Sequence, residues 1–486
     1  MDAADLLWTD ATLYRRRYEK SAAALIAVQR ALRQAAHLPG APEFLRLYDF
    51  VAGADPEPFT QLWRDPAAYH WVRRTVQLLA DHFDSRPRAS AQTPDDGAAV
   101  DDTGAALSAH LRSFARFALG LGFLTRRDLA LAEPLDVELP AAFPGTELVL
   151  AGGGRVRIRS LVDGGLEIDD PRGASRIVEG ASASPGAPRL QRCPIASVGN
   201  ARVAMNAAAL RIPGLEFANE LADLGLEFQQ RHVPLVSAAL DAVQRFHPTA
   251  FSHLAEIVRV IVVKPAREGS FGTLSSSELP GAFVCSVPTD PLALAADFIH
   301  ELHHNRLFFI EEGGPIFTSD GEDAIEGEHH YSPWRDAPRP LHGLLHAVYV
   351  YLPVFQYWSA IWRDGALAGA QRDYACDQLA RILIQVRIGV NQLQRHAYFT
   401  PLGSALCAEL AREAARIEDI ATTLGVSVRS PAVTCRSNGA LRPVVDERSG
   451  RPLTVGQTLL DHLERRDLRG ECEAERVVLA RALGRP

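Results

Sequence analysis

A chain of 486 residues, 47% hydrophobic, 23% charged and 7% aromatic, is ordinary globular protein with length for two or three cores, neither disordered nor fibrous. Its formal net charge of -8 argues against a nucleic-acid surface as its main business. No stretch is apolar for long enough to span a bilayer, and Met1-Asp2-Ala3-Ala4-Asp5 lacks the basic and apolar runs of a secretory signal, so the expectation is a cytoplasmic protein with no membrane partner.

Residues 10–83 carry helical patterning, clearest over 21–36, where Ala24, Leu25, Val28, Leu32 and Ala35 recur on one face. Residues 85–104, rich in Ala, Ser, Pro, Asp and Gly without periodicity, read as a flexible loop, and helix resumes over 105–121. Over 147–169 the pattern shortens to alternating runs broken by Gly152-Gly153-Gly154 and Asp163-Gly164-Gly165, which predicts a meander of hairpins. Residues 172–188 read as a loose connection. Helix returns over 214–246, and 257–264 is a buried strand by length and β-branching. A second strand-like run, 282–287, leads to Asp290-Pro291, a helix start with Asp as N-cap and Pro in the first turn. Beyond 310 come a polar, acidic loop (313–330) and helices over 339–358 and 368–397. In the second of these, Ala375, Leu379, Ile382, Leu383, Val386, Val390 and Leu393 form an apolar stripe. A Pro- and Arg-bearing loop over 427–456 and a last amphipathic helix close the chain. There is no internal repeat. The six cysteines (Cys193, Cys285, Cys376, Cys407, Cys435, Cys472) have no Cys-x-x-Cys spacing, so neither a zinc ribbon nor a disulfide framework is indicated.

These elements predict an α+β fold, predominantly helical, with small β elements beside one chemically distinctive helix. The expected organisation is a helical region over 1–130, a small β-rich segment over 140–200, a catalytic domain over 201–425 and a C-terminal loop and helix over 426–486.

The chemistry concentrates in His300-Glu301-Leu302-His303-His304. On a 3.6-residue helix His300 and His304 lie one turn apart on one face, so both imidazoles reach one divalent ion. Glu301 sits about 100° around the helix, near enough to hydrogen-bond a metal-bound water without having to ligate. An isolated pentad also matches solvated helix faces. Here Leu294, Phe298, Ile299, Leu302, Phe308 and Phe309 supply apolar surface that would bury much of the helix. His303 lies off the ligand face and is expected to hydrogen-bond elsewhere.

Three further stretches accompany the pentad: Gly272-Thr273-Leu274-Ser275 with Leu279-Pro280-Gly281, the run from Tyr331-Ser332-Pro333-Trp334-Arg335 through Arg339-Pro340 to His346, and His396-Ala397-Tyr398-Phe399-Thr400-Pro401-Leu402-Gly403. Together they resemble the HExxH-motif peptide-modification proteins, described as 2-oxoglutarate-dependent HExxH-type peptide β-hydroxylases. The Tyr-x-Pro-Trp-Arg-x-x-Pro-Arg-Pro pattern is the specific part. The resemblance covers roughly residues 200–405 and leaves the segment after about 425 without a counterpart. It implies iron(II), 2-oxoglutarate and dioxygen as cofactors and a ribosomally synthesised precursor peptide as substrate.

Spacing alone leaves two mechanisms open. A zinc peptidase would use the metal to polarise a scissile carbonyl, with Glu301 as general base. An iron(II) oxygenase supplies about three protein ligands and keeps the remaining positions for co-substrate and dioxygen. Arg335 and Arg339 bear on the choice, because a dicarboxylate needs a fixed cation and guanidinium binds carboxylate bidentately. Such arginines are also common surface ion-pair partners, and it is the resemblance that favours co-substrate binding. The third metal ligand is expected from His346, on the helix after the Pro-Trp-Arg loop, with Glu328 as the carboxylate alternative and Glu322 and Glu326 as competitors. His342 reads as an outer or surface group, and His329 and His330 as possible substrate contacts. Tyr331 and Trp334 would line a peptide groove or act as packing anchors. His396 and Thr400 read as capping or wall residues, and Lys264-Pro265-Ala266-Arg267 as a basic turn or a guide for an acidic peptide.

Overall fold

In the computed structural model the described residues are 12–84, 97–125, 134–160, 166–170, 173–177, 188–210, 224–266, 272–287, 290–318, 329–365, 367–435, 440–447, 449–466 and 472–483, with 127, 129 and 221 between them. The chain begins with α1 (Thr12–Gln34), α2 (Ala41–Ala52), α3 (Pro56–Trp63), α4 (Pro66–Asp84), α5 (Gly97–Arg112) and α6 (Ala115–Thr125). Their apolar stripes converge on Phe44, which stacks on Trp71 at 5.6 Å and meets the edge of Phe114 at 4.9 Å. Helix α5 starts inside the stretch expected to be loop. Its alanines are strong helix formers, and Leu107 and Leu111 dock it into this core.

The antiparallel meander follows: β1 (Leu135–Ala142), β2 (Leu148–Ser160), β3 (Leu166–Asp170), β4 (Gly173–Ile177) and β5 (Arg189–Arg192), in the order β1-β2-β3-β4 with β5 also beside β2. Strand β4 lies in the stretch expected to be a connection; its backbone ladder to β3 has no signal in side-chain pattern. Val137, Val156, Ile158 and Ile168 join the core formed by the first helices. The helical region and the β-rich segment therefore share one hydrophobic core.

The second sheet runs β6-β7-β8-β10-β9, from β6 (Ile195–Val198), β7 (Ala201–Ala204), β8 (Val260–Pro265), β9 (Leu274–Ser275) and β10 (Ala282–Val287). Strands β8 and β10 are parallel with Val260 opposite Ala282, and β9 pairs antiparallel with the outer side of β10. A parallel pair covered by helices is buried on both faces, which is why both strands read as continuous apolar runs. Helices α7 (Leu226–Phe246) and α8 (Pro248–Ile257) precede β8, and α9 (Pro291–Glu311), which carries the pentad, follows β10. Helices α10 (Leu341–Asp364), α11 (Gly369–Leu393) and α12 (Pro401–Leu424) complete the largest core. Helix α12 is absent from the predicted elements; Thr400 caps it by accepting from Gly403 N at 3.1 Å.

At the C-terminus, β11 (Val433–Cys435) and β12 (Leu441–Pro443) lie within the expected loop, and two helices, α13 (Val455–Arg466) and α14 (Glu473–Ala482), replace the single one expected. Both pack against Ala380, Ile384 and Ile388 of α11. The fold is α+β and predominantly helical. No helix among the described residues is long and apolar enough to cross a membrane.

Candidate active site

The start of α9 is set by Asp290, whose Oδ1 accepts from Leu292 N at 2.8 Å, with Pro291 in the first turn. Leu294, Phe298, Ile299 and Leu302 are fully buried. Asn305 Oδ1 accepts from Gly281 N at 2.8 Å, and its Nδ2 donates to Glu301 O at 3.0 Å, which ties the helix to the head of β10. His303 points inward with Nδ1 2.7 Å from Ile299 O, as expected for a histidine off the ligand face.

On the opposite face the imidazoles form a chain. His300 Nε2 and His304 Nε2 are 3.1 Å apart, and His304 Nδ1 is 3.1 Å from His346 Nδ1. The far nitrogen of His346, Nε2, lies 2.9 Å from Glu311 Oε1 and 3.1 Å from His342 Nε2, and His342 Nε2 lies 2.6 Å from the same carboxylate oxygen. Burial lowers the basicity of His300 to about 3, with Arg339, Arg335 and His346 adding repulsion. His304 is pushed down by burial and by His300 and His346. Burial would raise the Glu311 carboxyl, but its hydrogen bonds to His342 and His346 outweigh this and bring it to about 2.

His300, His304 and His346 thus lie side by side, yet His346 turns Nε2 away from the α9 pair. Among the described residues, the three-donor group whose ligand atoms all lie within 4.8 Å of one another is Glu311, His342 and His346. Of this group, Glu311 is the residue that sequence reasoning missed. The one-turn pair His342-x-x-x-His346 is the signal that could have pointed to it. Glu322, Glu326 and Glu328 lie outside the described residues.

A cavity of about 630 Å³ opens over the pentad, and His300, Glu301, His304, His342, His346, Arg335, Arg339, Trp334 and Tyr351 contribute to its lining. The Pro-Trp-Arg loop reaches it because His330 and Arg339 close a two-way backbone bridge, at 2.8 and 2.9 Å, and Gln385 donates to Pro333 O at 2.7 Å. Trp334 stacks on Tyr351 at 5.6 Å. Gly389 makes room for it, since a Cβ there would come within 2.8 Å of Trp334 Cη2 and 2.5 Å of Val348 Cγ2. Neither arginine forms an ion pair with a described acidic residue. Among the described residues the Arg339 guanidinium donates to Gly343 O, at 3.2 Å, and burial followed by repulsion from Arg335 lowers its basicity to about 10.

Glu301 is 2% exposed, and burial raises its carboxyl while the hydroxyls of Ser275 and Thr273 and the charge of Arg335 pull the other way. Its Oε2 closes no hydrogen bond among the described residues. Asp297, one turn before Glu301, makes no hydrogen bond or ion pair among the described residues, and burial together with Glu301 pushes it up to about 7. Asp297, His300 and Tyr351 also line a second cleft of about 590 Å³, walled on its far side by α13 and by β11.

Tyr331 lines neither cavity, so of its two expected roles, groove wall or packing anchor, the geometry supports the second. Its hydroxyl meets His462 Nδ1 at 2.9 Å, its carbonyl accepts from Gln392 at 2.9 Å, and its ring joins the cluster under the C-terminal helices. It is a packing anchor. His330 packs against His396, with ring centroids 4.7 Å apart.

Compared with models of known protein families and with curated proteins, the chain matches none.

Proposed function

We propose that this chain is an iron(II)- and 2-oxoglutarate-dependent oxygenase that hydroxylates the β-carbon of a residue in a ribosomally synthesised precursor peptide. The observation that carries this reading is the pairing, in one cavity, of two imidazole Nε2 atoms 3.1 Å apart with two arginines that have no carboxylate partner among the described residues. Two such nitrogens fit one divalent ion. A half-buried guanidinium, Arg339, and an exposed one, Arg335, neither with an acidic partner among the described residues, fit the distal carboxylate of a dicarboxylate, which would offset their mutual repulsion. The resemblance of the Tyr331–Pro340 stretch to the peptide β-hydroxylases supports the same assignment.

Iron(II), dioxygen and 2-oxoglutarate together supply a two-electron oxidation coupled to decarboxylation. The chain's own task is to hold and orient. His300 and His304 would hold the ion through Nε2, and Arg335 and Arg339 would fix the distal carboxylate of the co-substrate in the same cavity. Trp334 and Tyr351 form its apolar wall, and the second cleft gives a peptide access to the same imidazole. For the third protein donor, His346 in this orientation gives Nε2 to Glu311 and brings only Nδ1 to the pair, against Nδ1 rather than Nε2 of His304, which weighs against it. The carboxylate candidate remains Glu328.

A second reading, a zinc-dependent metallopeptidase such as a leader protease, is favoured by one observation. Glu301 faces the cavity with an unsatisfied oxygen, and the edge strand β9 carries Ser275 beside it. Incubating the metal-loaded chain with a precursor peptide, 2-oxoglutarate and ascorbate separates the two. The oxygenase adds one oxygen to the peptide mass and forms succinate in equal amount; a cleaved peptide without succinate overturns it.

A further inference from the structure

We propose that Glu311, His342 and His346 bind a divalent cation of their own, separate from the ion on His300 and His304. His342 and His346 lie one turn apart on the first two turns of α10 and present both Nε2 atoms to one point, 3.1 Å from each other. The last residue of α9 supplies the carboxylate, with Glu311 Oε1 at 2.6 and 2.9 Å from those nitrogens. Neighbouring donors of an octahedral ion at about 2.0–2.2 Å stand roughly 3 Å apart; the 2.9 and 3.1 Å pairs have that spacing, and the 2.6 Å pair of His342 with Glu311 would open by a few tenths of an ångström on binding. Two imidazoles and one carboxylate on one side of an ion leave its other positions open, and this N,N,O set suits iron(II), zinc, cobalt or manganese better than calcium or magnesium.

The surroundings agree with a cation site. Glu311 and His342 are partly open to solvent, at 24% and 47% side-chain exposure, which gives an ion a way in, while His346 is 7% exposed and fixes the inner corner. Arg335 and Arg339, which line the same cavity, make no ion pair with Glu311, so its charge is left to the imidazoles. Because His346 gives Nε2 to this group and only Nδ1 to His304, the two ion sites would be neighbours joined by one imidazole contact. The same geometry has a rival explanation without an ion. Two imidazole N–H groups can donate to one carboxylate oxygen, with Glu311 merely orienting His346.

Counting cobalt(II) or zinc bound to the metal-free full chain distinguishes the two and does not depend on the proposed reaction. Two ions per chain are expected for the parent, and one for the His300→Ala/His304→Ala double variant. One is also expected for Glu311→Gln and for His342→Gln, the latter altering a half-exposed side chain that the fold tolerates. If the double variant does not fold, the drop from two to one in the Glu311 and His342 variants still decides. One ion in the parent that disappears in the double variant overturns the proposal, as does a parent stoichiometry unchanged by Glu311→Gln and His342→Gln. A parent whose single ion survives in the double variant and is lost in Glu311→Gln supports this site and removes the metal of the proposed oxygenase.

Discussion

The core around Trp71 and the interface of α9 with α10 both bury histidines, and in both burial lowers the basicity of the imidazole; what differs is what each nitrogen faces. In the N-terminal core His110 stacks on Trp71 at 5.1 Å, and its Nε2 lies 3.1 Å from Trp71 O and 3.0 Å from Thr75 Oγ1. A neutral imidazole with oxygens to meet is a satisfied packing group. Over the cavity the nitrogens of His300, His304 and His346 face one another. Two imidazole nitrogens at that distance share at most one proton between them, and a Lewis acid satisfies both lone pairs at once. Burial does not separate a ligand from a core histidine, whereas the partner atom does.

The contrast breaks most sharply at the metal. His300→Ala and His304→Ala are each expected to abolish metal retention at the α9 pair, while His110→Ala retains metal and loses on the order of 1–3 kcal/mol of stability, as for a disrupted buried network. Elemental analysis with a denaturant melt checks both halves, and full retention in either α9 variant would remove the pair from the site. Glu301→Gln follows in size. An oxygenase is expected to keep substantial turnover, whereas a peptidase loses it with metal still bound, because only the peptidase needs a carboxylate to take a proton from water.

In the same cavity, Arg335→Lys or Arg339→Lys keeps the charge but loses the bidentate fork. At least one of the two variants is expected to weaken 2-oxoglutarate by about 1.5–3 kcal/mol, roughly ten- to a hundredfold. Calorimetric titration reads this, and two unaffected variants would sink the anchor assignment. Taken per histidine and per pH unit, the smallest effect is a pH slope away from the site. Burial lowers His110 and His247 from 6.5 to about 4 and His253 to about 3. Their folded forms stay neutral while the unfolded chain takes up protons below pH 6.5. Stability is therefore unaffected by them above that pH and falls as pH drops toward 4, by at most about 1.4 kcal/mol per unit for each group. His110→Gln should flatten the slope in that window.

The beginning of α9, the pairing of His300 with His304 and the inward turn of His303 were legible because each follows from helical period and a local cap. Arg335 and Arg339 could be proposed together because a short Pro-bounded loop brings both to one place. Glu311 was not legible. It meets His342 and His346 from 31 and 35 residues away, through helix packing that no local pattern encodes. Which of its two roles Tyr331 takes was not legible for a similar reason, since its partner His462 comes from the C-terminal segment. Helix α12, by contrast, had a readable stripe in Leu406, Leu410, Ile417 and Ala421, with a Thr400-Pro401 start.

On the proposed function, one cavity would unite a metal on His300 and His304 with a dicarboxylate on Arg335 and Arg339. Anaerobic titration of the iron(II)-loaded chain with 2-oxoglutarate tests it without any peptide. The account predicts saturable binding that requires the metal and is lost in the His300→Ala/His304→Ala variant. A metal-loaded parent that binds no 2-oxoglutarate would contradict it.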